Sequence, residues 1–172
     1  MTLRAGGHDI SPRVAASVVQ LGLCGRILAP ALATQTFGLG PLHLDADALW
    51  CQDDLGGAYP LSVGVSGSTD LLDGVITDLA GLFGERYGVP PRTLWGNIAS
   101  TINSAARQLA LARPDLAEAA ERVAASALRD PRLEGGTLRA GPGFRRRSCC
   151  LIYQASGSRT AICGDCVLGL PL

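Results

Sequence analysis

The chain has 172 residues, 47% of them hydrophobic, with 15 basic and 15 acidic side chains and a formal net charge of zero. That size and hydrophobicity fit one folded core rather than a disordered chain, so a single domain over 1–172 is expected. The charge balance gives no footing for a nucleic-acid partner or an anionic membrane surface. All 15 basic residues are Arg, which suits a GC-rich bacterial genome.

Ser11-Pro12 predicts a helix start, with Ser as N-cap and Pro at the first helical position. Val14, Val18, Leu21, Leu28 and Leu32 follow at helical spacing, with Val19, Leu23 and Ile27 on the other side. A helix apolar nearly all round is expected to be buried, and Arg26, the charge in its middle, then needs an acidic or carbonyl partner. A membrane span takes roughly 20 apolar residues in a row. The stretch from Val14 to Phe37 is interrupted by Arg26 and Pro30, and Leu23 is too large for the residue before a lipoprotein cysteine at Cys24. No transmembrane segment is predicted, and a cytoplasmic location is expected.

From Phe37 to Gly67 the chain reads as loop with a strand or two, Leu61, Val63 and Val65 alternating with Ser62, Gly64 and Ser66. Ser68 or Thr69 is the expected cap of a second helix with Leu72, Val75, Ile76, Leu79 and Phe83 on its apolar face, ending near Gly88-Val89-Pro90-Pro91. A third helix carries Leu94, Ile98, Ile102, Ala105 and Leu109. Pro114 restarts the chain into a fourth with Leu116, Ala120, Val123 and Ala127, which stops near Asp130-Pro131. After Leu133 no helical period returns, and the order of this tail is expected to come from something other than an apolar face. The fold class is therefore mainly α (α+β with a small β element), with a helical body over 11–132 and a C-terminal cysteine-rich segment over 133–172.

That segment carries Cys149-Cys150, an interval of twelve residues, and Cys163-Gly164-Asp165-Cys166. Four thiolates in short loops suit a tetrahedral sulfur site, which selects zinc or an iron-sulfur cluster. Zinc sites usually take ligands from two Cys-x2-Cys knuckles, and only the second half here has that form. No glycine pattern lies between a strand and a helix as flavin or nicotinamide binding requires. His8 and His43 are the chain's two histidines, too few for a His-rich metal site or a hydrolase triad.

The run Phe144-Arg145-Arg146-Arg147-Ser148-Cys149-Cys150-Leu151-Ile152-Tyr153 with Cys163-Gly164-Asp165-Cys166 resembles the C-terminal signature of the FhuF-like ferric-siderophore reductases. The likeness extends more loosely through Gly25 to Pro30, Leu49-Trp50 and Leu94 to Ser100. The interval between the cysteine pairs is longer than the family's usual one, and Gly157 and Ser158 fit a longer turn within it. The resemblance implies that Cys149, Cys150, Cys163 and Cys166 bind a 2Fe-2S cluster, and that the protein is an oxidoreductase passing one electron to Fe(III) in a bound siderophore. It implies a ferric siderophore as substrate and an external electron donor: a ferredoxin, a flavoprotein or a small reductant. The alternatives are a non-catalytic 2Fe-2S electron-transfer or siderophore-handling protein and a structural zinc-binding interaction module.

Arg145, Arg146 and Arg147 are candidates for attracting an anionic siderophore or donor, against the plainer reading of a solvated charged face. Trp95 reads as core, Asn97 as a group satisfying backbone near a helix start, and Cys24 and Cys51 as small core residues.

Overall fold

The computed structural model describes residues 3–5, 8–51, 61–63, 70–158 and 160–169. It consists of helices with two small hairpins: β1 (Leu3–Ala5) pairs antiparallel with β2 (His8–Ile10), and β3 (Leu49–Cys51) with β4 (Leu61–Val63). The helices are α1 (Pro12–Thr36), α2 (Val75–Tyr87), α3 (Pro91–Ala112), α4 (Ala117–Ala127) and a single turn, α5 (Ile152–Ala155). Helix α1 packs chiefly on α3, and α4 packs on α3 and, less extensively, on α1, so α3 is the central element.

Helix α1 starts where the sequence places it, with Ser11 Oγ accepting the Val14 N–H at 3.3 Å. It runs through Pro30, which lies on an exposed stretch of the helix. By length and composition α1 is apolar enough to cross a membrane. Here ten of its residues, Ser17 and Gln20 among them, are buried in the protein. The all-round burial expected of it is not found: Val19 is 52% exposed, and Gly22, Arg26 and Ala29 are exposed as well. Neighbouring helices cover a single stripe, and the rest of an Ala- and Val-rich surface remains in water at modest cost.

Helix α2 starts at Val75, later than the apolar pattern suggests. Asp70 Oδ1 accepts the Leu72 N–H at 3.0 Å, and Gly74 takes φ 59° with ψ −131°, outside any helical basin. The next amide, Val75, donates to Leu44 O at 2.8 Å. A side chain at Gly74 would meet that same carbonyl, so the glycine is required by both its φ and its surroundings. Leu72 is still fully buried, but from a turn. Val65 and the Ser68/Thr69 cap fall outside the described residues. The other boundaries follow their sequence signals: Gly88 closes α2 in the left-handed region, Pro91 opens α3, and Pro114 opens the turn that leads into α4.

The core gathers Leu28, Leu32, Leu72, Ile76, Leu94, Ile98, Ile102 and Leu128, and continues into the segment after α4 through Leu133, Leu138 and Phe144. That corrects the expectation of a tail with no apolar anchor. Its buried residues are too irregularly spaced for a periodic signal, yet each contributes about 1.5–3 kcal/mol of burial. Asn103 Oδ1 adds a buried hydrogen bond, accepting the Gly141 N–H at 2.8 Å.

Candidate metal centre

The cysteine loops are laid onto the start of α3. From Phe144 to Ser148 the chain alternates as an extended segment does: Phe144, Arg146 and Ser148 point inward and are buried, while Arg145 and Arg147 are exposed. Glu134 holds the segment from outside, its carboxylate accepting the Arg147 N–H at 2.8 Å. Arg92 at the start of α3 donates to Arg147 O, also at 2.8 Å. Ser148 lies directly over Gly96, where a Cβ would collide with its hydroxyl.

After the Cys149-Cys150 pair, Leu151 adopts φ 67°, a left-handed conformation that costs a leucine about 1–2 kcal/mol. In return its N–H reaches Cys149 Sγ at 3.3 Å. The second pair forms a tight turn, Cys166 N–H donating to Cys163 O at 3.1 Å, and the Leu168 N–H reaches Cys166 Sγ at 3.3 Å. Each loop thus offers a backbone N–H, two residues on, to one of its sulfurs.

The two loops face each other, Cys150 against Cys163 and Cys149 against Cys166. Cys150 Sγ lies 3.8 Å from Cys163 Sγ. Cys149 is raised from its ordinary pKa, first by burial and further by its interactions with Cys166 and Cys150. Cys150 is lowered to about 5, chiefly by the hydrogen bond it shares with Cys163, with help from the Ile152 N–H and Arg146. Cys163 is raised in turn by the same hydrogen bond and by burial. Cys150 and Cys166 are buried; Cys149 and Cys163 are half-buried, so the group has an inner side and an accessible edge.

Arg146 ties this group to the helices. It is 1% exposed, the largest side chain so fully buried among the described residues. Nη2 donates to Cys163 Sγ and Nη1 to Asn97 Oδ1, both at 2.8 Å. Burial alone would lower its pKa, but the charges of Cys150, Cys163 and Asp165 more than offset that and hold the guanidinium protonated. Asn97, fully buried on α3, points its Nδ2 at Ser17 O, Ser17 Oγ and Gln20 Oε1 on α1, at 3.0–3.1 Å. Ser17 Oγ donates in turn to Cys150 O at 2.8 Å. A buried polar chain therefore runs from α1 through α3 to the cysteine loops, and Ser17 and Gln20 are its members that sequence reading did not single out. Ser17 and Gln20 carry a signal that could have found them: they are polar positions inside an otherwise apolar helix.

These residues fit a thiolate-held metal group. A tetrahedral metal with thiolate bonds of about 2.3 Å has sulfur–sulfur edges of about 3.8 Å, the Cys150–Cys163 separation. Arg146 Nε, Ser148 Oγ and Asp165 Oδ2 are buried without hydrogen-bond partners among the described residues, and all three belong to the cysteine loops. Residues 65–148 match the family model described as ferric iron reductase FhuF-like transporter, and residues 146–168 match the FhuF 2Fe-2S C-terminal domain. The two matches overlap at residues 146–148 and together cover more than half of the chain.

The chain belongs to the FhuF-like ferric-siderophore reductase family. It is an oxidoreductase of the FhuF type, acting on ferric siderophores through a 2Fe-2S cluster bound by its C-terminal domain. Family membership brings with it interactions with a ferric siderophore and a redox partner. No curated protein and no solved structure matches the chain. The FhuF matches take in Leu94 to Ser100 and the cysteine run, while Gly25 to Pro30 and Leu49-Trp50 lie upstream of them.

Elsewhere in this FhuF-like chain, Cys24 is fully buried beside Gln20 Nε2 at 3.2 Å, and burial pushes its thiol up to about 12, as befits a core residue. Cys51 is exposed on β3, so its expected place in the core is corrected. Trp95 is half-buried and carries the Arg132 guanidinium 5.3 Å from its ring centre. His43 Nε2 pairs with Asp45 Oδ2 at 2.7 Å in an exposed loop.

The Gly96–Ser148 contact yields a stability prediction. Gly96→Ala should gain up to about 1 kcal/mol of helix propensity but lose about 1–3 kcal/mol by forcing the cysteine loop off α3, for a net loss of about 1–2 kcal/mol. Thermal unfolding should show a lower midpoint, and Gly96→Ala combined with Ser148→Gly should recover it. Unchanged stability in the single variant would mean that the loop does not rest on α3.

Proposed function

We propose that Cys149, Cys150, Cys163 and Cys166 are the four ligands of the 2Fe-2S cluster, and that an external donor charges it for one-electron reduction of a ferric siderophore in the bacterial cytoplasm. The observation that carries the ligand assignment is the 3.8 Å Cys150–Cys163 pair with the Arg146 guanidinium donating to it. When bound, such a cluster supplies single electrons at low potential. Hydroxamate and catecholate oxygens hold Fe(III) far more tightly than Fe(II), so one electron delivered to the substrate iron loosens it for release.

The chain's own groups set the conditions for that transfer. Leu151 N–H, Leu168 N–H and Arg146 place positive hydrogens on three of the sulfurs, which favours the more negatively charged reduced state. Burial of Cys150 and Cys166 keeps water from the inner side, while the half-buried Cys149 and Cys163 leave an edge for electrons to enter and leave. The donor is a ferredoxin, a flavoprotein or a small reductant, and a reducing cytoplasm is the compartment that keeps unligated thiols such as Cys51 reduced.

The test is anaerobic mixing of chemically reduced protein with a ferric trihydroxamate and a ferrous trap, which draws the transfer forward by mass action. Reoxidation in one-electron stoichiometry, releasing Fe(II) faster than the reductant alone, is expected. Reoxidation by protein acceptors but by no ferric siderophore would make the protein an electron carrier.

A further inference from the structure

We propose that the ferric chelate binds in the hollow beside the cysteine loop, between the start of α3 and residues 134–136, and that this hollow favours an anionic chelate. The proposal rests on the reductase reading above and adds the place and charge class of the substrate. The hollow holds about 430 Å³ and is lined chiefly by Pro91, Arg92, Trp95, Arg132, Glu134 and Arg147.

Its charges divide into those already balanced and those open. Arg132 donates to Asp130 Oδ2 at 2.8 Å and to Asp73 Oδ1 at 2.9 Å, and lies across the Trp95 ring; it is a fixed wall. Glu134 accepts the neutral Arg147 N–H and keeps its negative charge. Arg92 spends one N–H on Arg147 O, and the Arg147 guanidinium makes no hydrogen bond or ion pair among the described residues. Two guanidiniums are thus left with free donors against one unpaired carboxylate, an excess of positive charge and N–H donors that suits an oxyanion. Trp95, with the Arg132 guanidinium over its ring, completes the wall and places an indole beside any bound chelate.

Position gives these charges a task. Arg147 is two residues from Cys149, and Ser148 between them sits on Gly96, next to Trp95. A chelate in the hollow would therefore lie at the half-buried Cys149 side of the site. A cluster ligated by four thiolates is itself an anion and repels an anionic chelate. Arg92 and Arg147 offset that repulsion, and they favour the extra negative charge that the chelate acquires when its iron passes from Fe(III) to Fe(II) by gaining the electron lost from the reduced protein.

Trp50 and Trp95 are the chain's two tryptophans, and Trp50 is on β3, outside the hollow, so Trp50→Phe makes Trp95 the reporter. The oxidised holoprotein, which has no electron to give, is titrated with a trianionic ferric tricatecholate and with a neutral ferric trihydroxamate. The tricatecholate should quench Trp95 with an apparent Kd about tenfold lower. Arg92→Gln with Arg147→Gln should weaken it about tenfold, the scale of two exposed charge contacts, and leave the neutral complex within about twofold. Added salt should weaken the tricatecholate alone. Equal affinity for both chelates, or tricatecholate binding unaltered in the double variant, overturns the proposal. So does a double variant that binds chelates normally but is reduced more slowly by an acidic ferredoxin, which would assign the hollow to the donor. Reoxidation of the reduced wild-type protein by the trihydroxamate is followed in parallel. If it proceeds while the titration fails, the reductase reading stands and only the assignment of the hollow is lost; if neither chelate reoxidises the protein, both fall.

Discussion

Cys163→Ser should yield a protein that purifies with little or none of the visible absorption and acid-labile sulfide of the wild type, and with no ferric-chelate-dependent reoxidation. Cys163 Sγ is the sulfur that touches both Cys150 Sγ and the Arg146 guanidinium, so its loss opens a coordination position and strips a buried cation of its partner at once. The nearest further thiols offer no rescue. Cys51 is exposed on β3, and Cys24 is a buried, protonated thiol on α1 hydrogen-bonded by Gln20. Loss of a ligand and of its hydrogen-bonded support each typically costs 10–100-fold or more in metal affinity. Cys24→Ser is the comparison: it should change stability but leave iron and sulfide content near wild type. If Cys24→Ser loses the absorption and Cys163→Ser keeps it, the ligand assignment is wrong.

The second large effect belongs to Arg146. Arg146→Leu removes a charge whose two hydrogen bonds, to Asn97 Oδ1 and Cys163 Sγ, are buried, and strands both acceptors together with Asp165, whose Oδ2 lies 4.0 Å from Arg146 Nε. Breaking one side of such a buried arrangement costs about 3–5 kcal/mol, a large part of the stability of a domain this size. Denaturant unfolding of the apoprotein and holoprotein would measure it. The milder Arg146→Gln separates electrostatics from packing. One guanidinium charge about 6 Å from an added electron, at an effective dielectric constant of about 20, contributes about 2–3 kcal/mol. The midpoint potential should therefore fall by about 90–130 mV, since a tenfold change in a one-electron equilibrium, about 1.4 kcal/mol, is about 59 mV. The sign follows from the reduced state being the more negative. A potential that rises or does not move in Arg146→Gln, with the cluster intact, would exclude an electrostatic role for this residue.

Asn97 shows why the support of the site was harder to read than the site. Its partners, Ser17, Gln20 and Arg146, are 80, 77 and 49 residues away in the chain. No local period or spacing reports on such pairings, and an Asn seven residues into a helix looks the same whether it faces water or a buried guanidinium. Arg146 is the clearer case. Three consecutive arginines carry no internal difference, and only docking of the segment onto Gly96 and Asn97 turns the middle one inward and leaves Arg145 and Arg147 outside.

What the sequence determined by itself was local. Ser11-Pro12 opens α1, Gly88 through Pro91 separates α2 from α3, and Pro114 restarts the chain before α4, because caps, prolines and apolar spacing act within a few residues. The cysteine spacing likewise pointed to a thiolate-held metal, zinc or an iron-sulfur cluster, since short loops leave few other uses for four thiols in one segment, and the resemblance of the motif to the FhuF-like signature chose the cluster. Only the tertiary structure decided the rest: the late start of α2 against the Leu44 carbonyl, the exposure of Cys51, the solvent-facing stripe of α1, and the anchoring of the tail by Leu133, Leu138 and Phe144. Each depends on what another part of the chain brings within a few ångströms, and burial and buried hydrogen bonds acquire their energy only once those surfaces have met.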